Sequence, residues 1–180
     1  MVEHEAELVA RARAGDREAF GRLIETHQRS MFNVAYRMVG NYHDAQDLTQ
    51  TAFVKAFEAL AHFDRRCPFF GWIYRILINE SLTFLRRRKS LGMLDETLAS
   101  VAAGPDECFH DRELDQVLQR SLMELSEEYR QVITLRHFLD LSYLEISEAL
   151  AIPEKTVKSR LFTARIRLRD ALRRHGVETP

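Results

Sequence analysis

The stretch LSYLEISEALAIPEKTVKSRLFTARIRLRDALRR, residues 141–174, limits the possible folds more than any other part of the chain. Ser142 and Glu145 have the Ser-x-x-Glu spacing of a capping box, in which two side chains satisfy the first donors of a helix. Leu144, Ile146, Ala149 and Leu150 follow at or near helical spacing. Ala151-Ile152-Pro153 breaks that pattern, because proline has no N–H and disfavours the α conformation in the residue before it. A proline is tolerated in the first turn of the next helix, and Val157, Leu161, Ala164 and Leu168 provide that helix with a buried stripe. Residues 155–174 also carry Lys155, Lys158, Arg160, Arg165, Arg167, Arg169, Arg173 and Arg174 against one acid, Asp170. Two helices meeting at a corner, the second cationic, have the shape that enters a DNA major groove.

Helical corners also occur in proteins that never touch DNA, and a basic run is often just a solvated face. The asymmetry favours nucleic acid. Glu145 and Glu148 lie on the first helix, while the second interleaves its cations with the short polar groups Thr156 and Ser159. Thr156, Lys158, Ser159 and Arg160 can meet bases or phosphates from one end of that helix, with Lys155 beside them. The planar Arg160 guanidinium suits a bidentate contact with guanine; Arg165 and Arg167 lie farther along, where phosphate is the nearer group.

Charge is segregated along the chain. The formal net charge is −1, yet residues 1–89 are net basic, 90–112 are net acidic, and the cations of 113–180 gather at the end. A uniformly basic nucleic-acid coat is therefore excluded. Two cysteines, Cys67 and Cys108, and the absence of a signal peptide or long apolar span point to a reduced, cytoplasmic protein with no direct membrane insertion.

The periodicity predicts an all-α protein: two small helical domains joined by a flexible linker, the second a four-helix domain ending in the helix-turn-helix. A first helix spans about residues 3–14, and Asp16 can cap the next, which carries Phe20, Leu23, Ile24, His27, Met31, Val34, Ala35 and Met38 and stops at Gly40-Asn41. His27 and Tyr36 read as packing residues. A third helix is expected over 44–60, burying Ala45, Leu48, Ala52, Phe53, Ala56, Phe57 and Leu60 and leaving Asp47, Gln50, Thr51, Lys55 and Glu58 outward. After a loop at 61–68, residues 69–89 form a helix too rich in aromatics for all of them to face one core. Those left beside Arg75 and Asn79 could stack unpaired bases. Gly92 and Gly104-Pro105 mark 90–112 as the linker, so the domains are 1–89 and 113–180 and should be separable. The second domain should open with a helix over 111–124, burying Leu114, Val117, Leu118, Leu122 and Met123, followed by one that Ser126 caps.

No catalytic constellation appears: there is no HExxH, no phosphate-binding glycine loop and no buried carboxylate pair. Cys67, Cys108 and His110 could ligate a metal only if the linker folded back, so no cofactor, metal or enzyme activity is expected.

With these segments laid out, the chain resembles, over nearly its whole length, bacterial RNA polymerase sigma factors of the extracytoplasmic-function group. These belong to the sigma-70 superfamily and keep only sigma domains 2 and 4. DAQDLTQTAFVKAF (44–57) is similar to the core-polymerase-binding helix, FFGWIYRILINESLTFLRRR (69–88) to the segment that melts and reads the −10 element, and residues 122–172 to the −35-reading domain. The resemblance implies that Asp47 and Gln50, with Thr51 and Lys55 on the same helix, dock on core RNA polymerase. It implies that the 61–68 loop, with Phe63, Arg65 and Arg66, captures a flipped −10 base, and that Trp72, Tyr74, Arg75 and Asn79 line the channel for the single-stranded non-template strand. Thr156, Val157, Lys158, Ser159 and Arg160 match the recognition helix for the duplex −35 element, and Lys155 adds a cation near its start. The pattern departs at Thr51, where the family usually has Glu, and likewise at Phe70, Thr83 and Lys155, where Arg, Asp and Gly are usual.

The same resemblance implies an anti-sigma factor as regulator and a free chain that is monomeric. An alternative is an ordinary helix-turn-helix regulator that acts on duplex DNA without being a polymerase subunit. A protein-binding helical adaptor, for which the basic helix would be idle, is a third.

Overall fold

The computed structural model describes residues 2–64, 67–90 and 109–177, and the described residues form α-helices, one 3₁₀ turn and short connections. Helix α1 (Val2–Arg13) turns at Gly15, and Asp16 then starts α2 (Arg17–Val39). The Asp16 carboxylate accepts from the Ala19 N–H at 3.1 Å and from Arg11 at 2.6 Å. These contacts hold its pKa below the ordinary range, the Ala19 hydrogen bond contributing most. At the other end Gly40, with φ of 77°, donates to the Tyr36 carbonyl.

Asn41 belongs to the next helix rather than ending α2. Its side chain accepts from the Asp44 N–H, so α3 (Tyr42–Ala59) starts two residues earlier than the spacing suggests. A 3₁₀ turn (Leu60–His62) leads to α4 (Phe69–Ser90). α2 packs against α1, α3 and α4. Ala45, Ala52 and Ala56 of α3 are fully buried, small enough to let the neighbouring helices approach, while Leu23 and Met31 of α2 and Ile73 and Leu77 of α4 fill the core. His27 is a packing residue as expected, buried beside Phe69 with Nε2 2.8 Å from the Glu5 carboxylate.

The second unit comprises α5 (Phe109–Met123), α6 (Glu127–His137), α7 (Tyr143–Leu150) and α8 (Glu154–Arg174). The capping box forms: Ser142 Oγ accepts from the Glu145 N–H at 3.2 Å, and the Ser142 N–H donates to Glu145 Oε2 at 2.8 Å. Ala151 takes the left-handed conformation, φ 52°, to end α7, and Pro153 caps α8 from outside rather than lying in its first turn. Ser126 stands at the start of α6, but its hydroxyl accepts no capping hydrogen bond. Ile146, Val157, Leu161 and Ala164 close the corner over Leu122, Val132, Ile133 and Leu135.

Three residues of the apolar helical patterns lie outside: Leu144 is 59% exposed, Leu114 57% and Phe57 45%. Ile146 sets the inward direction of the short α7, and Leu144, two residues away, points to the opposite side. Phe57 lies at the edge of the stripe that α3 buries.

Most of the expected linker, residues 91–108, lies outside the described residues; α4 continues through Ser90 and α5 begins at Phe109. The two units touch. α2 packs against α5 and α6, α4 packs against α7, and Ile78 of α4 is buried in the core of the second unit.

Candidate nucleic-acid interface

On α8 the inward residues Val157, Leu161, Ala164 and Ala171 fix the rotation of the helix, and every other side chain follows from that. Lys155, Ser159, Phe162, Ile166 and Arg169 are exposed at helical spacing, forming one outward stripe. Lys158 and Arg165 lie on one flank: Lys158 pairs with Glu154 at 2.6 Å and sits over the Tyr143 ring, and Arg165 Nε donates to His137 Nε2 at 3.4 Å. Burial, then the nearby Arg165 and Arg136 cations, lower the His137 pKa, which suits a neutral ring accepting that hydrogen bond.

Thr156, Arg160 and Arg167 lie on the other flank. Arg160 is half-buried and its guanidinium contacts Glu128 of α6 at 2.8 Å, while Arg167 stacks over Tyr129 at 4.9 Å. The structure therefore brings Lys155, Lys158 and Ser159 together as an outward group and ties Arg160 to α6. Phe162, 68% exposed in the middle of this stripe, was not singled out by the sequence reading. The signal was available: Phe162 lies three residues from Ser159 and seven from Lys155, off the buried stripe.

On α4 the buried stripe is Phe69, Ile73, Tyr74, Leu77, Ile78, Ser81 and Leu85. The opposite face presents the half-buried Trp72 and the exposed Arg75, Asn79 and Arg86, one above another. Tyr74 is a correction. It is 1% exposed and cannot stack a base, and burial raises its phenol to about 12. Two residues from Trp72, it falls on the opposite side of the helix. Phe63 is corrected likewise: it is buried against Phe69 and Trp72, ring centroids 5.7 and 4.8 Å away, and braces the indole. Arg65 and Arg66 lie outside the described residues.

Asp47, Gln50, Thr51 and Lys55 share the outer face of α3. Asp47 makes no ion pair among the described residues, whereas Lys55 bridges to Glu80 of α4 at 2.6 Å and so ties the bundle together. Beside this face an open groove of about 1020 Å³ runs between α2 and α3, lined by Phe20, Ile24, Phe32, Gln50, Val54 and Phe57 among others. Val54, 51% exposed and four residues from Gln50, extends the face into an apolar strip that the sequence reading missed. Among the described residues no cluster of His, Cys, Asp or Glu could hold a metal, and no helix is long and apolar enough to cross a membrane. Cys67 is an exposed free thiol; Cys108 and the His110 side chain lie outside the described residues.

The class defined by this fold is a two-unit protein, helical throughout its described residues, with a helix-turn-helix in its second unit. The chain matches the family description "Sigma-70 region 2" over residues 23–91 and "Sigma-70, region 4" over residues 115–168. It is 33% identical over 177 residues to the ECF RNA polymerase sigma factor SigW of Bacillus subtilis, covering 92% of this chain and 95% of that one. It is 35% identical over 170 residues to the ECF RNA polymerase sigma-E factor of Escherichia coli, covering 88% of each. Among solved structures, CnrH in complex with the cytosolic domain of CnrY superposes with a TM-score of 0.71 at 26% identity, over 94% of this chain and 97% of that one. The chain belongs to the ECF RNA polymerase sigma factors, and it is an alternative sigma factor directing transcription initiation.

Proposed function

We propose that this chain divides the work of initiation between residues 1–89, which bind core RNA polymerase and the melted −10 element, and residues 113–180, which read the duplex −35 element. The connection lies between Ser90, the last residue of α4, and Phe109, the first of α5. The observation that carries this reading is the pair of solvent-facing stripes on separate units: Trp72, Arg75 and Asn79 on α4, and Lys155, Ser159 and Phe162 on α8.

Asp47 and Gln50 dock on polymerase, with Thr51 beside them and the Val54–Phe57 strip as the apolar part of the interface. The promoter strand runs along the outward face of α4, where Trp72 stacks a base and Arg75 and Arg86 meet phosphates. Arg65 and Arg66, assigned to −10 binding by the sequence resemblance alone, are proposed to add cations there. In the −35 major groove, Lys155, Lys158, Ser159 and Phe162 face base edges, and Arg165 and Arg169 face phosphate. Arg160 and Arg167 approach the backbone from the flank nearest α6.

The action is non-covalent and takes place in the cytoplasm. Stacking and phosphate contacts offset an unstacking cost of a few kcal/mol per flipped base. CnrH was solved with the cytosolic domain of CnrY, and a protein regulator of the same kind is proposed to hold this chain inactive.

In vitro transcription with core polymerase and genomic DNA from the source organism tests the reading. Initiation from a discrete set of promoters, dependent on this chain, is expected. Tight binding of the chain alone to a palindromic duplex, with no effect on transcription, would favour an ordinary helix-turn-helix regulator.

A further inference from the structure

Helix α1 buries Leu8, Val9 and Ala12, which seat it in the core of the first unit. Glu5 and Arg13 lie four residues to either side of Val9, so they continue that stripe at its two ends. Both are half-buried, and each reaches past the stripe to a different place. Arg13 Nη2 donates to the Ala61 carbonyl at 3.1 Å, in the 3₁₀ turn where the 61–68 loop opens. Its Nε is buried without a hydrogen-bond partner among the described residues. An unpaired buried donor is a cost to folding, so stability is a poor account of why this guanidinium lies there.

At the other end, the Glu5 carboxylate pairs with His27 Nε2 at 2.8 Å. The buried His27 ring lies 5.9 Å from the Phe69 centroid and 6.2 Å from that of Phe70, the first two residues of α4. Glu5 and Arg13 are eight residues apart, about 12 Å along a helix. One rigid helix thus holds both ends of the loop, Ala61 at its start and Phe69 just past its finish.

The two contacts converge on one side chain. Ala61 is two residues from Phe63, whose ring centroid is 4.8 Å from that of Trp72, and Phe69 lies 5.7 Å from Trp72 on another side. A stacking ring is only as well aimed as the groups that lock its rotamer. We propose that α1 is a positioning element for the −10 strand: Arg13 and Glu5 fix the ends of the 61–68 loop and, through Phe63 and Phe69, the attitude of the Trp72 indole. The strand-binding half rests on the sigma-factor reading above; the brace itself does not.

Trp72 is the chain's one tryptophan, so its fluorescence in the free full-length chain reports the brace directly. Arg13→Ala should increase quenching of Trp72 by acrylamide, with unchanged far-UV circular dichroism. Arg13→Lys, which can still donate to the Ala61 carbonyl, should return most of the parent signal. Glu5→Ala should act in the same direction from the other end, and Glu5→Gln, which keeps an acceptor for His27, should reverse it. Parent-like quenching in both alanine variants would overturn the brace. Assembled with core polymerase, Arg13→Ala should bind a single-stranded −10 oligonucleotide roughly two- to tenfold more weakly, the effect of one lost hydrogen bond, and discriminate less among its bases. Affinity for a −35 duplex should stay that of the parent. Equal losses at both elements, or none at the −10 strand, would overturn the positioning role. If the parent holoenzyme ignored the −10 oligonucleotide altogether, the −10 reading would fail while the fluorescence result stood.

Discussion

Arg160 reaches from α8 to Glu128 of α6 across 2.8 Å, so the guanidinium best shaped for guanine is held against a carboxylate beside the groove-facing stripe. Glu128 is largely exposed and, if Arg160 meets promoter DNA as proposed, would compete for that cation. Glu128→Gln should therefore tighten promoter binding by no more than about fivefold, since an exposed pair contributes at most ~1 kcal/mol. Holoenzyme affinity for a −35 duplex, parent against variant, checks it; weaker binding would show that Glu128 orients Arg160 productively.

Phe162 and Arg169 should fail differently. Phe162→Ala removes an apolar contact suited to a thymine methyl and should cost about 1–2 kcal/mol at the preferred −35 sequence, with little loss at sequences lacking that thymine. Arg169→Ala should weaken all sequences alike and lower the salt slope by about 1. A panel of −35 variants at two salt concentrations separates the two.

On α3, Asp47 is exposed and unpaired among the described residues. Asp47→Ala should leave the melting temperature within about a degree, as surface changes away from caps usually do, and weaken affinity for core polymerase. Unchanged affinity would remove Asp47 from the interface.

Two aromatics on α4 make a paired test. Trp72→Ala should lose about 1–3 kcal/mol of single-stranded −10 binding with modest effect on stability. Tyr74→Ala should cost about 3–5 kcal/mol of stability, because the ring is buried to 1%. Thermal melts beside binding to a single-stranded −10 oligonucleotide would expose a reversal of these roles.

The capping box adds a pH dependence. The Ser142 hydroxyl, then its backbone N–H, hold the Glu145 pKa below the ordinary 4.5. A carboxyl depressed in the folded state stabilises fully above its unfolded value and loses that contribution as pH falls through its folded value. Ser142→Ala should cost about 1 kcal/mol at pH 7, and the difference from the parent should shrink at acid pH. Denaturant melts across pH 3–7 would show a constant difference if the box were idle.

Much of this was legible along the chain. The helix order, the Asp16 cap, the capping box, the corner before Pro153 and the inward placement of Val157 and Leu161 are local properties. Spacing of 3.6 residues and the loss of an N–H act within a few residues of where they are written. The outward positions of Asp47, Arg75, Asn79 and Lys155 follow from the same periodicity.

Tertiary structure alone decided the rest. That Tyr74 and Phe63 are core residues, that Arg160 is tied to Glu128, and that Lys55 bridges to Glu80 depend on which helix lies alongside. The contact between the two units is the clearest case. Arg37 and Arg130 look like ordinary surface cations in a helical pattern, and their burial arises where the end of α2 meets α5 and α6, some eighty to ninety residues away in sequence. Periodicity orients a side chain about its own helix axis; what it meets there is set by the packing of distant segments.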